Sequence, residues 1–187
     1  MERRELLKMI AALTGGAFIG GELLTSCKSG PMVGGPTFGE ADTAFLDEVA
    51  ETILPATKTP GAKAAKVGQF MVVMVNDTYE DKDQKIFHEG IGKLEAASKK
   101  ANGKSFLEAT PEQRTALLTG LDKEAKDYQK SKKTEDPAHY FTMMKQLTLF
   151  GFFTSKEGAT QALRYIAVPG HYDGAYPYKK GDKAWAT

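Results

Sequence analysis

The three histidines, His88, His139 and His171, fall in three separate segments, with no HExxH pair or other compact ligand spacing among them. A zinc centre needs several donors converging on one point. The single cysteine, Cys27, lies in the N-terminal segment, and on its own it excludes an intrachain disulfide and any multi-cysteine zinc or iron–sulfur site. His88 beside Phe87 reads as a boundary residue, His139 as a first-turn residue of a helix, and His171 as a structural residue in a tail rich in glycine and aromatics. The pairs Asp47/Glu48, Asp81/Asp83 and Glu135/Asp136 suit solvated faces or helix starts, where the dipole favours negative charge. Nothing sets two carboxylates across a glycosidic bond. No serine sits in G-x-S-x-G, and neither a Walker A run nor a G-x-G-x-x-G after a strand occurs. The sequence therefore assigns no catalytic residue, no cofactor-binding residue and no metal ligand. Thr57-Lys58-Thr59-Pro60-Gly61 offers backbone donors near a helix start, where an anion such as a cofactor phosphate is received; an ordinary helix-initiating loop accounts for the same residues.

Composition narrows the class. The chain has 187 residues, 41% of them hydrophobic and 26% charged, which is the profile of one globular domain. Its formal charge is +1, and the nearest thing to a basic stripe, Lys130–Lys133, stands beside Glu135 and Asp136. A nucleic-acid partner, which calls for a basic excess or stripe, is not expected.

Residues 1–27 read as an address. Arg3, Arg4 and Lys8 precede an apolar run of 13 residues, Met9 to Gly21, which is shorter than the roughly 20 needed to span a bilayer. A cleaved signal peptide is the expectation. Arg3-Arg4-Glu5-Leu6-Leu7-Lys8 resembles the twin-arginine export signal, whose machinery carries proteins already folded. Leu24-Thr25-Ser26-Cys27 resembles a bacterial lipobox. Its chemistry needs a thiol for the thioether bond and small residues to fit the peptidase. The acyl chains on Cys27 would then hold the protein at a membrane, at about 0.8 kcal/mol per buried CH₂. Residues 28–40, with Gly30, Pro31, Gly34, Gly35, Pro36 and Gly39, read as a flexible tether or as an arm along a partner.

Residues 41–187 must supply the body, and their periodicity predicts an all-α fold: a small bundle of about five or six helices with an irregular aromatic C-terminal tail. The first helix runs from about Asp42 to Leu54, with Phe45, Leu46 and Val49 on its apolar face, and Pro55 stops it. Thr59-Pro60 reads as the start of the second, striped by Val67, Phe70, Met71 and Met74. A third begins near Asp81 with Gln84 in a capping box, and Thr110-Pro111-Glu112-Gln113 opens a fourth. Asp136-Pro137 repeats that start signal for a fifth. Here Tyr140, Phe141, Met144, Leu147 and Phe150, widened by Phe152 and Phe153, read as the centre of the core. Thr154 with Glu157 caps a last short helix to about Tyr165. In the tail, Pro169, Gly170, Gly174, Pro177 and Gly181 break regular structure. Tyr172, Tyr176, Tyr178 and Trp185 either staple the tail across the bundle or insert it into a partner.

Three runs carry a family resemblance: Ile53-Leu54-Pro55-Ala56-Thr57-Lys58-Thr59-Pro60-Gly61-Ala62 with Val67 and Phe70; Phe152-Phe153-Thr154-Ser155-Lys156-Glu157-Gly158; and Tyr165 to Gly174. Together they resemble the gluconate 2-dehydrogenase subunit 3 family over about residues 42–178. The resemblance implies a small, non-catalytic subunit of a membrane-associated sugar or sugar-acid dehydrogenase. In such a complex the large subunit binds FAD and oxidises the substrate, and a cytochrome c subunit, where present, carries electrons on its haem. The small subunit supports folding, stability and export of the flavoprotein through the twin-arginine machinery. Lipidated Cys27 would add direct anchoring on the periplasmic side of a bacterial membrane, a departure from complexes anchored by the cytochrome. The expected partner contacts are Pro55, Thr59, Pro60 and Gly61 in the loop, and Pro169, Gly170, Tyr172, Gly174, Tyr176 and Trp185 in the tail. The alternative is a free-standing lipoprotein acting as a scaffold or small-molecule binder.

Overall fold

The computed structural model describes residues 34, 35 and 37–186. Arg3, Arg4 and Cys27 lie outside the described residues. Five α-helices follow in order: α1 Glu40–Ile53, α2 Val67–Thr78, α3 Asp81–Asn102, α4 Pro111–Ser131 and α5 Tyr140–Thr154. A π-helical turn, Gly158–Ala162, leads to β1, Arg164–Tyr165, which pairs in parallel with β2, Trp185–Ala186, Arg164 standing opposite Trp185.

The expected apolar stripes close on one core. Phe45, Leu46 and Val49 of α1 meet Val67, Met71 and Val75 of α2, Phe87, Ile91 and Leu94 of α3, Leu118 and Leu121 of α4, and Met144 and Leu147 of α5. Each such side chain, once buried, contributes roughly 1.5–3 kcal/mol. Helix α5 packs against all four others. Its Tyr140 is buried, and that burial, with Glu124 nearby, pushes the phenol up to about 12. It is a packing residue held neutral.

Several helix starts differ from expectation. The Thr110 signal holds: the Gln113 amide donates to Thr110 Oγ1 at 3.4 Å and the Thr110 amide to Gln113 Oε1 at 3.0 Å. Thr59-Pro60 starts nothing; α2 begins at Val67, where the Gly68 amide donates to Asp47 Oδ1 of α1 at 2.8 Å. Gln84 does not form a capping box. Its Nε2 donates to the Tyr79 carbonyl at 3.0 Å and the Asn76 carbonyl at 3.2 Å, fastening the α2–α3 corner. Asp136 caps a tight turn, accepting from the Lys133 amide at 2.8 Å, while His139 Nδ1 takes the Phe141 amide at 3.2 Å and starts α5. After α5, the cap is Ser155, whose Oγ accepts from the Gly158 amide at 3.0 Å.

Of the expected tether, residues 34, 35 and 37–40 are described, and they lie against the bundle. Gly34 lies against α3 so closely that a Cβ there would come within 2.8 Å of the Gly92 nitrogen. Buried Asp42 holds the Gly34 and Gly39 amides at 2.7 and 2.9 Å, and Phe38 stacks on His88 at 4.1 Å. The body therefore includes residues 34, 35 and 37–40, and Gly34, with φ of +85°, has a backbone that side chains rarely permit.

Candidate partner interface

The Pro55–Gly61 loop is built around two carboxylates of α1. Glu51 accepts from the Ala56 and Lys63 amides, both at 2.8 Å. Gly61 passes so near that any Cβ would fall on both Glu51 oxygens. The Thr57 amide donates to the Thr59 carbonyl at 3.0 Å, and the Glu51 carboxylate beside Gly61 opposes an incoming anion. One turn back, Glu48 pairs with Lys63 and with Arg114 Nη1, the latter at 2.5 Å. Arg114 also donates to the Phe106 and Leu107 carbonyls at 2.9 and 2.6 Å, tying α1 to the start of α4. Burial raises Glu48, but the Lys63 hydrogen bond and the two cationic partners outweigh it and hold the carboxyl below its usual range. At Asp47 burial wins over the Gly68 amide, and that carboxyl is held above its usual range. Pro55 is exposed on the finished loop, Thr59 and Pro60 are half-buried, and Gly61 is buried.

The tail closes on its own base rather than stapling across the bundle. The Arg164 amide donates to the Ala184 carbonyl at 2.8 Å and the Ile166 amide to Ala186 at 3.0 Å. The Arg164 guanidinium lies 4.0 Å from the Trp185 ring centroid, and Tyr176 meets that ring edge-on at 5.4 Å. Between these ends Pro169, Gly170 and Gly174 are exposed, as is Tyr172, which is 94% accessible, and Val168, which is 81%. Among the described residues no hydrogen bond or ion pair joins the Pro55–Gly61 loop to the tail.

The histidines stay apart. His139 is spent as a cap, and His171 is exposed. His88 is buried, with no partner for Nδ1, beside an open hollow of about 470 Å³ bordered by Gly34, Asp81, Lys85 and Glu89. No group of three potential metal ligands occurs among the described residues, and no helix among them is long and apolar enough to cross a membrane.

Periodicity misplaced part of α5. Phe150 and Phe153, expected in the core, are exposed, together with Leu149 and, on α2, Val73. A signal for this was present in the sequence: α2 carries one charged residue, Asp77, and α5 one, Lys145. Too few polar residues were available to finish two outer faces.

Residues 40–170 match the family described as Gluconate 2-dehydrogenase subunit 3. The chain belongs to that family. The matched stretch opens at the first residue of α1, spans all five helices and ends at Gly170. The subunit 3 signature thus includes the Pro55–Gly61 loop but stops before Tyr172, Gly174, Tyr176 and Trp185. Comparison with curated proteins and with solved structures gave no match.

Proposed function

We propose that this chain is the non-catalytic small subunit of an FAD-dependent dehydrogenase acting on a sugar or sugar acid. The match to the subunit 3 family over residues 40–170 carries the reading. In it the large subunit holds FAD and chooses the substrate, and a cytochrome c subunit, where present, takes the electrons. This chain lends surface, through Pro55 on a loop fixed by Glu51 and through the outward-facing tail aromatics Tyr172 and Tyr178. Stable interfaces bury about 1,200–2,000 Å² in total, and large aromatics dominate their energetics. Arg3 and Arg4 would route the folded pair through twin-arginine export, and lipidated Cys27 would hold it on the periplasmic face of the membrane.

Gentle detergent extraction of membranes, with capture through a C-terminal tag, tests this. Flavin absorbance should accompany the chain in stoichiometric amount, with haem bands where a cytochrome travels along. A chain that emerges without flavin overturns the reading and favours the free-standing lipoprotein, for which the hollow beside His88 would be the binding site. Cys27→Ala should release the flavin-bearing complex from membranes, and paired Arg3→Lys and Arg4→Lys should leave it in the cytoplasm.

A further inference from the structure

We infer that the outward face shared by α2 and the C-terminal half of α5 is the seat of the large flavoprotein subunit, an inference that rests on the accessory-subunit reading. Helix α5 is apolar over most of its circumference, with Lys145 its one charged residue and Gln146 exposed at the near end of the outer face. Its inner face, with Phe141, Met144 and Leu147, fills the core, yet Phe150 is 51% exposed, and Leu149 and Phe153 are exposed beside it. A helix hydrophobic over most of its circumference is ordinarily covered over most of it. Val73 of α2, 55% exposed, extends the face: it lies one turn from Phe70, whose ring meets Phe150 edge-on at 5.5 Å. The strip has no charge of its own along α5, because Lys145 turns away to pair with Asp122 of α4 at 2.6 Å. Charge depletion with aromatic enrichment marks the core of a protein interface.

Area and family together decide the occupant. A large aromatic carries about 150–250 Å², so the exposed parts of Val73, Leu149, Phe150 and Phe153 amount to a few hundred Å². Two copies meeting strip to strip would bury well under the roughly 1,200 Å² that stable association needs. The tail supplies the remainder. The π-helical turn packs onto the end of α5 at Phe152, and from there the chain runs to exposed Tyr165, Val168 and Tyr172. Strip and tail together reach the roughly 800 Å² per partner of a standard interface. A second copy would have to cover both surfaces as well; the subunit 3 match, which implies association with a larger dehydrogenase subunit, selects that subunit as the occupant.

The test places a photo-crosslinking phenylalanine analogue at position 150 of the full chain, expressed with its complex, and irradiates the detergent-extracted preparation. The analogue nearly matches phenylalanine in shape at a half-exposed site, so folding is not at issue. The expected product joins the chain to the flavin-bearing subunit. In parallel, paired Val73→Glu and Phe150→Glu should cut co-purifying flavin about tenfold or more at unchanged far-UV circular dichroism, with Lys123→Glu on α4 as a control that retains it. A crosslink to a second copy or to lipid, or none in a preparation that contains flavin, overturns the seat while leaving the accessory reading intact. A wild-type preparation without flavin overturns both.

Discussion

Helices α3 and α4 carry nine and eight charged residues, whereas α2 and α5 carry one each, and all four bury an equally apolar inner face. On the charged pair the outer faces are finished for water. Lys93 meets Glu89 at 3.5 Å, Lys99 meets Glu95 at 3.1 Å and Lys126 meets Asp122 at 2.7 Å, each one turn apart. Such exposed pairs contribute about 0–1 kcal/mol, so they matter chiefly as signs of a solvated face. On α2 and α5 nothing equivalent covers Val73, Leu149, Phe150 or Phe153. Core formation explains every inner face and leaves the outer face of α5 unexplained; a partner supplies the missing reason.

Cavity formation separates the two kinds of apolar residue most sharply. Leu94 of α3 is fully buried, and Leu94→Ala should cost about 2–5 kcal/mol in urea unfolding. Phe150→Ser should cost about 1 kcal/mol or less, since only half of that ring is covered within the chain. Equal losses would mean that Phe150 belongs to the core and that the contrast between the helix pairs is false.

Glycines at the two seams of α5 sharpen the same contrast. A Cβ on Gly90 of α3 would lie 2.5 Å from Tyr140 Cβ, an atom fixed to the α5 backbone. One on Gly151 would lie 2.6 Å from Phe70 Cδ1, the edge of a half-buried ring. Alanine gains up to about 1 kcal/mol of helix propensity at either site. Overpacking costs about 1–3 kcal/mol where the neighbour cannot move. Gly90→Ala should therefore destabilise by about 1–2 kcal/mol, and Gly151→Ala should be near neutral as Phe70 swings outward. Thermal unfolding of the two variants measures the difference, and a Gly151→Ala loss as large as that of Gly90→Ala would place Phe70 in rigid packing.

These features divide according to how far apart the deciding atoms lie in sequence. Thr110, Pro111 and Gln113 are read correctly because cap, proline and reciprocal side chain all act within four residues. Thr59-Pro60 has a similar local pattern and misleads, because Glu51 and Glu48 on the preceding helix take the loop's donors and Asp47 caps α2 at Gly68. Asp136 was claimed by Lys133, and the cap passed to a histidine, a residue that propensity does not favour there. Phe150 and Phe153 fit helical periodicity as well as Phe141 does, since spacing alone does not say which of two apolar faces turns inward. Periodicity and cap signals found the bundle; neither they nor the family resemblance found the strip, whose residues are distinguished by exposure.

Acid probes the carboxylates of α1, which link it to α4 through Glu48 and to α2 through Asp47. Glu48, held below its usual range by Lys63 and Arg114, stays ionised in the fold to lower pH than in the unfolded chain. Its contribution is whole above about pH 4.3 and is lost as pH falls through the depressed folded value. Asp47 works in the opposite sense. Raised by burial, it takes up a proton in the fold first, so stability gains as pH falls through its folded value. Glu48→Gln should flatten the fall in stability between about pH 5 and pH 3, and Asp47→Asn should steepen it. Identical slopes in the two variants, measured by urea midpoint against pH, would remove the opposition.

The smallest effect is expected in the tail, beyond α5. Its closure rests on two strand hydrogen bonds, on Arg164 Nε donating to the Lys183 carbonyl at 2.8 Å and Lys183 Nζ to the Gln161 carbonyl, and on Arg164 over Trp185, an exposed cation–π contact of about 0.5–1 kcal/mol. Trp185→Ala removes the ring that both Arg164 and Tyr176 touch. No core residue loses a neighbour, so global unfolding should not shift. The change should appear locally, as severalfold faster hydrogen exchange at the Arg164 and Ile166 amides, which donate to Ala184 and Ala186. In the assembled complex the same amides should exchange slowly even without Trp185, because a partner lying along the tail would hold the strands together. Fast exchange in both states would mean that the tail aromatics face water throughout, leaving the helix strip to carry the docking without them.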